Sequence, residues 1–442
     1  MREFAVPPSM IETATARRRA GDWAGACAAA NIDVDLQPRL LARRYGREFA
    51  ALLRADLRHL APDLLRWHMP RIAPDGLLRP GLTLTLARYG TGAKALHLVA
   101  RTPPAWADAG QRISLALWDT SRRQETDRRH PHPRPSRRFR LDLHRHLWDV
   151  RRAGELRARS GDGGPDPDIA GPLPAEPLLG GQWHDGPLPD GKRCAVDRWA
   201  AEAAILLRSE GRSDGRVGVR LGARHRVVLH LSDGGERTAV SYARAPDSSL
   251  PVLPDAATWV LPDLELLRAG AIDAGRLHPL VASALGAQRS GPSRVPERAG
   301  DPRVVECRGA RHRIGLVDGV LAALDHDPAE VRREELLAAF GGPPLPCLRA
   351  VDQAHRRPDC LPGVRERLQH GDTAGALAAV ESLLGPEAVL RDGPLRDVLE
   401  TAARRRIAHG LFRAGLEGPS PGSLRPWDRR RSRDDGPHPR HM

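Results

Sequence analysis

Asp325, His326 and Asp327 place three side chains of the types that bind metal ions at consecutive positions of the sequence. Asp327 is followed by Pro328 and then Glu330, the pattern of a helix that begins with Asp at the N-cap, Pro at N1 and Glu at N3. An N-cap Asp accepts hydrogen bonds from backbone N–H groups, which leaves Asp325 and His326 as the candidate metal ligands. Two neighbouring ligands are too few for a metal site, so the sequence predicts no metal ion and no other cofactor in the fold.

His144 and His146 are a second pair of potential ligands. The spacing of Leu143, Leu147 and Val150 at i, i+4 and i+7 predicts that both histidines lie on a helix. Residues two positions apart on a helix point to different faces, so the two imidazoles are not expected to bind one metal ion. The pattern favours a solvated face or contacts with phosphate groups.

Two further segments suggest ligand contacts. Residues 90–94 (GTGAK) follow a predicted strand, but the spacing is not that of a P-loop and a strand follows, so the pattern favours a hairpin turn. Trp183, His184 and Asp185 lie in a Gly- and Pro-rich stretch and fit either a docking peptide or ligand contact, or an aromatic anchor for the linker. The sequence contains no H-E-x-x-H or G-x-G-x-x-G motif, and we assign no catalytic residue.

Positive charge is concentrated in residues 121–160, which hold 13 arginines against five acidic residues in a chain of net charge +14. Clustered arginine with interleaved Phe139 and Trp148 is typical of surfaces that hold a nucleic-acid backbone or an acidic protein. The alternative is a solvated loop, because GC-rich coding produces an arginine bias of this kind. The candidate binding residues are Arg137, Arg138, Arg140, Arg145, Trp148, Arg151 and Arg152.

Length and composition limit the classes of protein that fit. The 442 residues predict two to four folded units. The five cysteines are widely spaced and contain no C-x-x-C pair, which argues against a disulfide framework or a cysteine-rich zinc site and fits a reducing cytoplasm. No signal-peptide core occurs at the start, and no apolar run approaches the ~18 residues of a membrane span. We therefore expect a cytoplasmic protein without membrane contact.

The hydrophobic periodicity predicts an α+β fold. It begins with helices, one of them from Arg39 to Leu60, and continues with a β-meander over residues 82–118. A second α+β unit follows, with a helix at 196–207 and three strands between 217 and 242, and a β-hairpin over 304–317 precedes an all-helical segment. The predicted boundaries are 1–160 for the N-terminal helices, meander and basic loop–helix, 161–191 for a Pro/Gly linker, 192–288 for the second unit, 289–302 for a linker, 303–417 for the hairpin and helical domain, and 418–442 for a disordered tail.

Residues 21–29 and 371–379 are identical at seven of nine positions. In each copy a Gly suits the end of one helix and the following Asp suits the N-cap of the next. The sequence therefore predicts two αα-hairpins, the unit of TPR-like solenoids. Two copies do not make an array, and we interpret them as similar local solutions rather than as a repeat.

Residues 312–328 (HRIGLVDGVLAALDHDP) and 143–149 (LHRHLWD) resemble segments of uncharacterised proteins from GC-rich bacteria. The resemblance implies a MoxR-type ATPase or a von Willebrand A protein as partner. The lack of a catalytic motif, the αα-hairpins and the basic segment lead us to predict a non-enzymatic accessory or scaffold protein that binds other proteins. The alternatives are a nucleic-acid-binding protein that uses residues 122–152, and a hydrolase whose site is assembled from distant residues.

Overall fold

The computed structural model confirms the α+β class, with four small sheets among the described residues. It describes residues 2–416 apart from 91, 93–94, 122–129, 161–192, 223–225, 233–236, 243–246, 248 and 288–302. Both predicted linkers, the predicted tail and the triplet at 183–185 lie outside these residues, and the domain boundaries stay predictions. None of the described helices is long and apolar enough to cross a membrane.

The α-helices of the described residues are numbered along the chain. They are α1 (Arg2–Ala5), α2 (Pro8–Arg19), α3 (Trp23–Ala29), α4 (Pro38–Tyr45), α5 (Arg47–His59), α6 (Pro62–His68), α7 (Leu156–Ser160), α8 (Trp199–Ser209), α9 (Asp255–Thr258), α10 (Pro262–Arg268), α11 (Pro279–Ala284), α12 (Pro328–Ala339), α13 (Pro346–Arg356), α14 (Leu361–His370), α15 (Thr373–Leu384) and α16 (Pro394–Ala414).

The strands are numbered in the same way. They are β1 (Ile32–Val34), β2 (Arg71–Ile72), β3 (Leu77–Leu78), β4 (Thr83–Tyr89), β5 (Leu96–Arg101), β6 (Ile113–Asp119), β7 (Gly215–Arg220), β8 (Arg226–Ser232), β9 (Arg237–Tyr242), β10 (Arg303–Cys307), β11 (Ala310–Val317) and β12 (Val320–Ala323).

The first unit is built on a sheet with the strand order β1-β6-β5-β4. The predicted meander of β4, β5 and β6 is confirmed, since both pairs are antiparallel. Strand β1 was missed by the sequence analysis: it has three residues and pairs in parallel with β6, with Ile32 opposite Ile113. Side chains of α5, such as Leu53 and Leu57, are buried in one core with Leu84 of β4.

Two helices replace the single helix predicted from Arg39 to Leu60, and that prediction was wrong at Gly46. This glycine lies between α4 and α5 with φ of +95°, a conformation that glycine adopts readily and that interrupts a helix. The periodicity was informative within α5, because Phe49, Leu53 and Leu57 belong to the core.

A short 3₁₀ turn replaces the helix predicted over residues 143–150. The Trp148 carbonyl accepts a hydrogen bond from the Ala61 N–H at 2.8 Å, and the Val150 N–H donates to the His59 carbonyl at 3.0 Å. These bonds to the α5–α6 connection use the backbone groups that a helix would need. The prediction failed because the competing partners are distant in sequence.

The second unit has a three-stranded antiparallel sheet, in the order β7-β8-β9, at the positions that the sequence predicted. Helix α8 packs on it, with Trp199 buried beside Val217 and Leu229 in a second core. Leu277 lies just before α11 and Val281 lies within it, and both side chains are buried in the core of the first unit. The two units are therefore joined by side chains as well as by the chain itself.

The C-terminal part begins with the predicted hairpin of β10 and β11, to which β12 adds a third antiparallel strand. Helices α12 to α16 follow. Asp327 is the N-cap of α12, and its carboxylate accepts a hydrogen bond from the Ala329 N–H at 3.0 Å, as predicted.

The two predicted αα-hairpins are confirmed as α2–α3 and α14–α15. Gly21 and Gly371 have φ of +78° and +87°, and Asp22 and Asp372 each accept a hydrogen bond from the N–H three residues on, at 2.8 and 2.9 Å. The second hairpin packs against the first unit, where Asn31 donates to the Gly371 carbonyl at 3.3 Å. The C-terminal helices thus cover part of the surface of the first unit.

Candidate binding cleft

A cleft of about 840 Å³ lies between the first and second α+β units. Its walls come from the end of α6 and the β2–β3 hairpin, from residues 138–147, from the end of α7, and from the stretch between Pro254 and Leu266. Ligand sites often form at the interface of two units, and this volume lies within the range of ~300–1,000 Å³ that such sites occupy.

Apolar and aromatic side chains form much of the lining. Trp67 and Phe139 are buried, whereas Trp259 and Ile272 are half-buried. Leu266 is 39% exposed. These partly exposed side chains are available to an apolar group of a ligand.

The cleft has an excess of positive charge, with seven arginines against three acidic side chains. The arginines are Arg71, Arg79, Arg138, Arg140, Arg159, Arg220 and Arg276. A cleft with low-dielectric walls focuses the field of such charges and attracts anionic groups.

The three acidic side chains of the cleft all accept hydrogen bonds from the protein: Asp255 from Arg138, Asp263 from Trp67, and Glu265 from the backbone N–H of Arg193. The first of these is bidentate, because Arg138 donates from Nε at 3.0 Å and from Nη2 at 2.6 Å. The carboxylates are therefore committed to the structure. Arg140 and Arg159 also pair with carboxylates outside the lining, so these pairs neutralise part of the arginine excess.

A buried charge cluster lies behind the cleft, where Glu202 of α8 meets Arg159 of α7. Arg159 donates from Nε and Nη2 at 2.5 and 2.6 Å, and His144 Nε2 lies 3.2 Å from a carboxylate oxygen of Glu202. Burial alone would raise the pKa of Glu202, but His144 and Arg159 outweigh it and hold the pKa below its usual range. Burial lowers the pKa of His146 well below 6.5, so this imidazole is neutral at neutral pH.

The arginines predicted as binding residues are mostly committed to ion pairs within the chain. The pairs are Arg138 with Asp255, Arg140 with Asp142 and Glu210, Arg145 with Asp56 and Asp149, Arg151 with Asp149, and Arg152 with Glu155. Trp148 is fully buried and Arg137 is exposed. Of the seven predicted residues, the structure brings Arg138 and Arg140 into the cleft.

The two candidate metal ligands diverge. Asp325 accepts hydrogen bonds from the backbone N–H and Nη2 of Arg313, both at 2.7 Å. His326 instead faces Cys307 and Cys347, two cysteines that the sequence analysis did not connect because 40 positions separate them.

The sequence analysis missed most residues of the cleft. Trp259, Leu266 and Arg276 belong to the second unit, whereas Trp67 and Phe139 belong to the first. No sequence motif connects the two groups. The nine tryptophans of the sequence are only a general signal, since large aromatic side chains mark cores and binding surfaces alike. No protein-family model matches the chain, and no match was found among curated proteins or solved structures.

Proposed function

We propose that this chain is a non-enzymatic accessory protein that binds an acidic peptide segment of a partner protein in the cleft between its two α+β units. The observation that carries the proposal is the cleft of about 840 Å³, with seven arginines, three acidic side chains and an apolar lining. Concave sites with an apolar wall and a few polar groups are the usual places for ligand binding.

The charge of the cleft supports an anionic partner. Its lining holds seven arginines against three acidic side chains, and Arg276 of the lining is exposed. A guanidinium group presents its donors in a planar fork that matches a carboxylate. A segment that contains Asp or Glu therefore gains more from this surface than a neutral or basic one.

The apolar lining supports a partner that also carries apolar side chains. Leu266 is 39% exposed, and Trp259 and Ile272 are half-buried. Covering such side chains stabilises a complex by about 25 cal/mol for each Å² of apolar surface removed from water. Acidic residues then set the orientation of the segment, and apolar residues supply most of its affinity.

Three of the titratable groups of the cleft favour binding over catalysis. A general acid or base needs a side chain whose proton can move near neutral pH and which can reach a substrate. Asp255 is held by two donors of Arg138, Asp263 accepts from Trp67, and His146 is kept neutral by burial.

We place this function in the cytoplasm, which the five free thiols support.

Selection of short random peptides, displayed on phage, against the immobilised full chain tests the proposal. We expect the selected peptides to combine Asp or Glu with Leu, Ile or Trp. Synthetic copies should bind with an affinity that weakens as salt is added, because salt screens the arginine–carboxylate attraction.

Two substitutions test whether the cleft is the binding surface. Leu266→Glu and Arg276→Glu should each weaken binding of the selected peptides by about tenfold or more. Arg365→Glu, at an exposed helical arginine outside the cleft, is the matched control and should leave the affinity unchanged. Equal affinities in all four proteins would contradict the proposal. Binding only after residues 161–192 are replaced by a Gly-Ser linker would mean that this segment, rather than a partner, is the ligand.

A further inference from the structure

Three metal-ligating side chains converge in the C-terminal part of the fold. Cys307 is the last residue of β10, His326 lies just before α12, and Cys347 is in the first turn of α13. Their ligand atoms all lie within 4.8 Å of one another. Both cysteines are buried, at 0% exposure, and the side chain of His326 is 4% exposed.

We propose that Cys307, His326 and Cys347 bind a Zn²⁺ ion and that a water molecule completes its coordination. Zinc prefers thiolate and imidazole ligands in a tetrahedral arrangement, and two cysteines, one histidine and a water molecule are one of the sets that it adopts in proteins. The ring of His312 stacks on that of His326, with centroids 4.2 Å apart and planes at 14°. His312 of β11 is thus next to the cluster, but its ring is nearly parallel to that of His326, and one ion cannot lie in the planes of both rings. His312 therefore packs against a ligand and is not one itself.

The ring nitrogens of His326 support its role as a ligand. His326 Nε2 is buried and has no hydrogen-bond partner among the described residues. His326 Nδ1 lies 3.5 Å from a carboxylate oxygen of Glu330. A metal-bound histidine usually directs its other ring nitrogen to such a carboxylate, which fixes the tautomer and the orientation of the ring.

The small core around the cluster is an independent reason for a metal ion. The buried apolar cluster here consists, among the described residues, of Cys307, Leu345 and Cys347, so two of its three members are the thiols. Helix α12 buries none of its described side chains, and Phe340 at its end is 88% exposed. Units with so little apolar burial are commonly stabilised by a structural metal or a disulfide.

A disulfide between Cys307 and Cys347 is the competing explanation. It would account for the two thiols but not for the buried nitrogen of His326 or for the carboxylate of Glu330 behind it. Zinc uses all of these groups, and its binding releases the two thiol protons to the solvent. The competing explanations therefore differ in metal content and in the oxidation state of the cysteines.

Elemental analysis of the full chain, purified without chelators from cells grown with zinc, should show about one zinc per chain. After zinc is removed under reducing conditions, added Co²⁺ should give the visible absorption of tetrahedral cobalt and a thiolate-to-cobalt charge-transfer band. Cys307→Ser, Cys347→Ser and His326→Ala should each lose stoichiometric zinc. Cys360→Ser, a half-buried cysteine of the same region outside the cluster, is the matched control and should retain it.

Two further variants and one protection experiment complete the test. Glu330→Gln should keep the cobalt spectrum while zinc affinity falls by about tenfold, and His312→Ala should keep stoichiometric zinc because the three protein ligands stay in place. In the unmodified chain, zinc should protect Cys307 and Cys347, but not Cys360, from alkylation, which tests the site even where a variant fails to fold. A reduced, folded chain that binds no Co²⁺, or one isolated with a Cys307–Cys347 disulfide, would overturn the proposal.

Discussion

The guanidinium of Arg66 is fully buried and donates from Nη2 to the backbone carbonyl of His370 at 3.0 Å, across 304 positions of sequence. It also donates from Nε to the Ala5 carbonyl at 2.9 Å and from Nη1 to the Gln111 carbonyl at 2.5 Å. Burial lowers the pKa of Arg66 to about 10, which leaves the group charged at neutral pH. One side chain therefore joins α1, the turn before β6 and the end of α14.

Replacement of Arg66 by Met should lower the free energy of unfolding by about 3 kcal/mol, because three buried carbonyls lose a charged donor. Urea denaturation followed by tryptophan fluorescence measures the change. Arg365→Met, at an exposed position, should stay within about 0.5 kcal/mol of the unmodified chain. A loss in Arg66→Met as small as in this control would show that the carbonyls find other partners.

Mild acid should destabilise the protein through its buried histidines. Burial lowers the pKa of His97, His130 and His370 to about 4, from 6.5. Between these values the unfolded chain binds protons that the folded chain does not, so the stability is fully present above pH ~6.5 and decreases as the pH falls towards ~4. The midpoint temperature of unfolding, measured across this range, should fall. His370→Gln should flatten the fall, whereas the same change at the partly exposed His230 should not.

Duplex DNA should bind weakly at ~150 mM salt, with a Kd within the non-specific range of ~10⁻⁴–10⁻⁶ M. Arg138 and Arg140 are paired with Asp255 and Glu210 across the two α+β units, so they are not free to neutralise phosphates. Changing Arg137, Arg138 and Arg140 together to Ala should leave the salt dependence of binding unchanged but lower the unfolding temperature. Fluorescence anisotropy with a labelled duplex measures the affinity and its salt dependence. Sub-micromolar binding that the triple variant loses would instead support the nucleic-acid alternative.

Gly21 and Gly371 occupy matching positions in the two αα-hairpins but have different neighbours. A Cβ atom at position 371 would lie 2.0 Å from the Gly110 carbonyl oxygen, whereas nothing lies within 4 Å of one at position 21. Gly21→Ala should cost about 1 kcal/mol, the price of a left-handed backbone conformation, and Gly371→Ala should cost roughly 1–3 kcal/mol more because of the overlap. Urea denaturation of both variants gives the comparison, and equal losses would contradict the expected overlap.

Structural elements that depend on residues close together in the sequence could be predicted. The N-cap at Asp327 and the Gly–Asp junctions at 21–22 and 371–372 depend on residues a few positions apart. The helix predicted over 143–150 failed for the opposite reason, because the Trp148 carbonyl accepts its hydrogen bond from Ala61. Helix periodicity carries no information about such a distant competitor.

The candidate sites could not be predicted, because both are assembled from separated segments. Leu266 and Arg138 line one cleft although they belong to different units. Cys307 and Cys347 meet at His326, although their spacing along the chain showed no sign of a shared site. Partners of the MoxR or von Willebrand A kind stay a prediction.

The packing of the C-terminal helices on the first unit has a consequence for synthesis on the ribosome. Asn31 donates to the Gly371 carbonyl, and Arg413 pairs with Asp35 across 378 positions. Neither contact can form until almost all of the described chain has left the exit tunnel. Because a chain emerges from its N-terminus at only ~5–20 residues per second, the first unit spends many seconds with this surface uncovered. Its N-terminal helices should depend on chaperones during that interval more than a unit whose contacts are all local.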